Sequence, residues 1–168
     1  MIISVIYLII SFILDNFMSV IFPSTLANPS YFTTIYIIIA SVIIYPYFNN
    51  EKKYYLLLII FGLFFDILYT STFILNAVLF FSIGICIKLL NNIFPENVFT
   101  TNIISIATIS IYHTLSFIIL NLLGNINYDF ILLINIISHS IIMTVIYTSI
   151  SYFIIKIIYK NFGIKQIK

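Results

Sequence analysis

The sequence predicts an all-α integral membrane protein, a single polytopic domain over residues 1–168 with six transmembrane helices. Three observations predict it. The chain is 62% hydrophobic and only 7% charged, whereas a soluble domain carries about 25% charged residues to cover its surface. Its apolar residues gather in six runs, most of them near the roughly 20 residues that a helix needs to cross the hydrocarbon core. All the basic residues are lysines, and they cluster at alternate loops. The mean hydropathy of +1.20 fits the same class. Strict polar–apolar alternation is scarce, which argues for helices over the shorter, alternating strands of a barrel.

The first run covers residues 2–22 and stops at Pro23. It has no basic leading segment and no small-residue cleavage site, so it is expected to be a retained helix and not a signal peptide. The second covers residues 31–48 and follows "NPS". The third, 54–68, is short. The fourth is 73–90. The fifth, 102–123, ends at Gly124. The sixth runs from 130 to about 159, long enough to tilt or to leave the membrane. Between them lie short polar turns, "FNNEKK" at 48–53, "NNIFPEN" at 91–97 and "GNINYD" at 124–129. None can hold a soluble domain.

Orientation follows from the lysines, which favour the cytoplasmic side. With six crossings and the N-terminus inside, Lys52, Lys53, Lys88, Lys156, Lys160, Lys165 and Lys168 all fall at inner segments. The outer loops at 23–30, 69–72 and 124–129 hold none. Both termini are therefore expected in the cytoplasm. The net charge of +2 is small and scattered, which gives no footprint for nucleic acid.

Polar residues inside apolar runs are costly and so informative. Asp66 lies about 13 residues from the inner end of its helix, or roughly 20 Å at about 1.5 Å per residue. Gly62, one turn earlier, shares its face and would let another helix approach closely. A structural tie to Thr70, Ser71, Thr72 or Asn76 is expected to fix the hairpin, and an amide at 66 would then serve nearly as well. The competing expectation is an ion, proton or ligand contact. Asp15 lies at a similar depth, each acid being expected to have its own partner.

His113 and His139 fall near mid-membrane and are expected to be neutral and bonded across helices. Two histidines make no metal set, since zinc sites want three or four ligands. Tyr152, Tyr159, Lys156 and Lys160 read as interfacial anchors. Cys86 has no partner for an internal disulfide. Neither a phosphate loop nor a zinc or nucleophile motif occurs. No enzyme, cofactor or metal is expected.

The stretch "FGLFFDILYTSTFILNAVLFFSIGICIKLL" resembles the rod shape-determining protein MreD family. There a short helix carries a Gly and, four residues on, an Asp; a polar turn and an Asn near the next helix start follow. Gly62, Asp66 and Asn76 match that order. "NPSYFTTIYIIIASVIIY" looks like the family's second helix, with Pro29 in place, and Ser30 where an acidic residue is often found. The resemblance implies a fold similar to the substrate-binding subunits of energy-coupling-factor transporters. It implies a non-enzymatic subunit in the bacterial cytoplasmic membrane that binds MreC. Its wider partners would be MreB, RodA and a penicillin-binding transpeptidase, in the elongation complex that builds side-wall peptidoglycan and maintains cell shape. The MreC contact is expected on the third and fourth helices near the Gly62–Asn76 hairpin. Two other readings compete: a vitamin-binding subunit of an energy-coupling-factor importer, and a proton or ion carrier using Asp66, Asp15 and the histidines.

Overall fold

The computed structural model describes residues 2–22, 34–70, 74–123 and 130–163. The loops expected at 23–30 and 124–129, Pro29, Ser71, Thr72, Lys165 and Lys168 lie outside the described residues. Six helices follow one another, α1 (Ile2–Ile21), α2 (Tyr36–Ile44), α3 (Glu51–Tyr69), α4 (Leu75–Ile93), α5 (Val98–Leu122) and α6 (Phe130–Asn161). No strand occurs among the described residues.

Four of the helices, α1, α4, α5 and α6, are long and apolar enough to cross a membrane, and this is a helical membrane protein by that measure. The second expected span, 31–48, is shorter than expected. Its helix has nine residues, about 14 Å at about 1.5 Å per residue, roughly half the hydrocarbon thickness. Pro46 is one reason. It has no N–H for the helical ladder and clashes with the preceding turn, so the chain tightens into a 3₁₀ turn at Tyr45–Tyr47. The third helix is 19 residues long but begins with Glu51, Lys52 and Lys53.

Local chemistry sets two helix starts earlier than hydropathy does. Asn50 accepts from the backbone N–H groups of Lys52 and Lys53 at 2.9 and 3.4 Å. Asn97 and Thr100 form a reciprocal capping box at the start of α5. Each satisfies orphan donors that a helix start leaves open.

Every residue of α2 is buried, and the helix touches α1, α4, α5 and α6. It is the centre of the bundle, with Ile37, Ile38, Ile39 and Ile44 in the core beside Leu79, Phe80, Ile83 and Ile87 of α4. A helix that is apolar all round belongs inside. The outer helices are arranged the other way from a soluble protein. On α1 the exposed residues include Ile2, Ile6, Ile9, Ile13, Phe17 and Val20, while Ser4 and Ser11 are buried. On α6 the buried stripe is Ser140, Thr144, Thr148 and Ser151, and Ile142, Ile146, Ile150 and Phe153 face outward. Small hydroxyl residues let helices close on one another in lipid.

The lysines that the structure describes gather at one end. Lys88 on α4 pairs with Glu51 at the start of α3 at 2.6 Å. Tyr47 stacks on Tyr159 of α6 at 3.9 Å between centroids, and Ser4 of α1 bonds the Tyr159 hydroxyl at 2.5 Å. Tyr152 and Tyr159 are thus buried within the bundle, not interfacial anchors as expected. Lys156 stays exposed, its ammonium 5.4 Å from the Tyr152 ring. Asp15 and Asp66 lie toward the opposite end.

Candidate functional site

Helix α4 begins in an awkward way. The residue before it, Ile74, has φ 68 and offers no side-chain cap. A β-branched residue in the left-handed region is strained. The first N–H groups of α4 therefore need an acceptor from elsewhere, because unpaired buried donors cost about 1–3 kcal/mol each.

Asp66 supplies it from the last turns of α3. Its carboxylate accepts from Asn76 N at 2.9 Å and from Ala77 N at 3.3 Å. It also accepts from Asn76 Nδ2 at 2.9 Å and from the Thr70 hydroxyl at 3.2 Å. Negative charge at a helix N-terminus meets the positive end of the helix dipole. The Asn76 side chain then uses its own oxygen to accept from Tyr112 of α5, at 2.6 Å. One carboxylate thus joins α3 to α4, and Asn76 carries the connection to α5.

Gly62 allows this approach. A Cβ there would lie 2.6 Å from both the Ala77 Cα and the Asn76 carbonyl oxygen. Those are backbone atoms and cannot step aside. The structure thus brings Gly62, Asp66 and Asn76 together at one helix crossing. All three are buried, Asp66 to 2% exposure and Asn76 to 1%. All three therefore face the interior of the bundle at this hairpin. The four bonds named here bring donors to the carboxylate, and an amide would turn an N–H₂ toward one or more of them.

Asp15 has the same task at α2. Its two oxygens accept from Tyr36 N at 2.8 Å and Ile37 N at 3.1 Å, where Ile35 gives no side-chain cap. Each acid therefore has its own partners. The two histidines behave differently from each other. His139 Nδ1 lies 2.8 Å from the Asn135 carbonyl, one turn back on the same helix. The cross-helix bond expected of His113 does not form: its Nε2 is buried without a hydrogen-bond partner among the described residues. No group of three or more His, Cys, Asp or Glu that could hold a metal ion lies among the described residues.

Sequence reasoning missed Tyr112 and the capping role of Asp15. The available signal was negative: Ile35 and Ile74 are poor caps, so each following helix needs an acceptor from a distance. No family model, curated protein or solved structure matches the chain.

Proposed function

We propose that this chain is an MreD-type subunit: a non-enzymatic protein of the bacterial cytoplasmic membrane that binds MreC and supports side-wall peptidoglycan synthesis in the elongation complex. The observation that carries the proposal is the set Gly62, Asp66 and Asn76. The three residues occur in the order that resembles the family pattern, and they form one buried tie at one hairpin. A tie with four donors on one carboxylate is built to hold shape. It leaves Asp66 poorly suited to carry protons or ions.

In this reading all six helices cross the bilayer, with a fold of the kind found in substrate-binding subunits of energy-coupling-factor transporters. The short α2 is shielded by its neighbours, so it has no need of the length that a lipid-facing span requires. The charges that open α3 sit at the lysine-bearing end, which faces the cytoplasm together with both termini. The MreC contact then falls on outward-facing side chains and not on the buried tie.

Complementation tests the proposal. In a rod-shaped bacterium depleted of its own MreD-type subunit, this chain, expressed with its cognate MreC, restores rods and co-purifies with that MreC. Normal membrane levels with neither rods nor co-purification would overturn it.

A further inference from the structure

A lane of hydroxyl groups runs between α1 and α6 and ends on a carboxylate. Ser4, Tyr7, Ser11 and Asp15 follow one another at three- and four-residue spacing, so they share one face of α1 over about 16 Å at about 1.5 Å per residue. Helix α6 answers from the other side. Ser4 and Tyr159 bond at 2.5 Å, and Ser11 and Tyr147 at 2.9 Å. Between these pairs lie the hydroxyls of Tyr7 and Thr148, both buried and neither in hydrogen-bond geometry with a described group. Ser11, Tyr147 and Ser151 nevertheless surround the Tyr7 hydroxyl.

Close packing accounts for small hydroxyl residues but not for unspent ones. Elsewhere on α5 and α6 buried hydroxyls are spent on their own helix: Thr108, Ser140 and Thr144 donate to carbonyls three or four residues back. A hydroxyl left free away from water is costly, and it is what a proton relay needs, since it can accept on one side and donate on the other. The acceptor that closes the lane has no cation beside it. Among the described residues Asp15 takes only the N–H groups of Tyr36 and Ile37, one on each oxygen, so each oxygen keeps a lone pair. Within its electrostatic reach are Tyr36 of α2, Tyr69 of α3 and Tyr112 of α5, with Tyr147 of α6 beyond Tyr36 and Asp66 beyond Tyr112. None of these is positively charged.

We propose that this lane carries protons from the lysine-bearing end to Asp15. A proton enters at the Tyr159–Ser4 pair, beside the exposed Lys160 and Asn161. Each hydroxyl passes its own proton on and receives another. Ser4 supplies Tyr7, Tyr7 supplies Tyr147, and Tyr147 supplies Ser11. Ser11 turns its proton from the Tyr7 carbonyl, which it now meets at 2.9 Å, to the carboxylate one turn on. Asp15 becomes a neutral acid, and no group in between gains or loses a proton. The path is independent of the MreC reading and leaves Asp66 as a fixed tie.

Infrared spectroscopy of the full-length protein in lipid nanodiscs, after a downward pH jump, tests it. A protonated-carboxyl band is expected to grow in and to be lost in Asp15→Asn. Tyr7→Phe removes an oxygen that makes no bond in the fold, so its melting temperature should hold. Growth of the band should nonetheless slow about a hundredfold, the lower end of what a positioned proton-transfer group contributes. Identical spectra for the wild type and a folded Asp15→Asn would overturn the proposal. A band that grows at the same rate in Tyr7→Phe would overturn it too, by reducing the hydroxyls to packing.

Discussion

At the start of α2, the Asp15 carboxylate meets two backbone N–H groups. At the start of α4, Asp66 meets two backbone N–H groups, an amide and a hydroxyl. The first helix start follows an extended residue, Ile35, with φ −108. The second follows Ile74 in the left-handed region. The α4 start thus carries backbone strain and has the larger set of bonds to hold it. It also has Gly62 beneath it and, through Asn76, Tyr112 of α5. The comparison teaches that a capping carboxylate in a membrane protein does more than close a helix when its donors come from several elements. Asp15 joins α1 to α2. Asp66 joins α3 to α4, and Asn76 extends the tie to α5.

The largest expected effect separates the two acids. Asp66→Leu leaves the Asn76 and Ala77 N–H groups and the Asn76 amide without their acceptor, a cost of about 3 kcal/mol or more. Asp15→Leu strands only two N–H groups, those of the buried Tyr36 and Ile37, and with fewer donors lost should cost less, roughly 1–3 kcal/mol. Thermal unfolding of both variants in the same detergent ranks them. If Asp15→Leu proves the worse, the added donors at Asp66 contribute nothing.

A smaller effect tests the close approach. Gly62→Ala puts a methyl against backbone and should cost about 1–3 kcal/mol. Gly84, on the same α3–α4 interface, is the internal control. A Cβ there would also come within 2.6 Å of an atom, but that atom is the Leu58 Cδ1, the end of a flexible side chain. Gly84→Ala should therefore cost less than Gly62→Ala, by about 1 kcal/mol. Equal melting temperatures for the two variants would show that the α4 backbone can shift.

The smallest effect runs in the stabilising direction. Ile74→Gly removes the Cβ that makes φ 68 unfavourable, and should gain about 1 kcal/mol. Ile35→Gly, at the extended position before α2, should gain nothing and should lose the burial of its side chain. A melting temperature that falls in Ile74→Gly would mean that contacts of the Ile74 side chain outweigh the backbone strain.

Much of the fold was legible because transfer to lipid is a local quantity. The long apolar runs became α1, α4, α5 and α6, and each lysine that the structure describes lies at one end. Gly62, Asp66 and Asn76 were legible as a set from their spacing on two adjacent helices. Tyr112 was not, because nothing in "TISIYHT" at residues 108–114 tells which of several polar side chains turns toward a partner. Tyr159 misled for a related reason. A tyrosine beside lysines near a helix end fits the interface pattern, yet its hydroxyl finds Ser4, 155 residues away.

By itself the sequence determined that the chain is helical, that it belongs in a membrane, and which end carries its positive charge. These follow from composition and from the one-sided placement of lysine, and no contact between distant residues is needed. Only the tertiary structure decided that α2 is the buried centre, that Asp15 and Asp66 close the helices that follow them, and that the hydroxyl stripe of α6 turns inward. Lipid is as apolar as a protein core, so hydropathy cannot separate a residue that faces one from a residue that faces the other. Satisfying every backbone donor away from water can, and the acceptor could lie far along the chain from its donor, as the Asp15 carboxylate does from the Tyr36 N–H, 21 residues away.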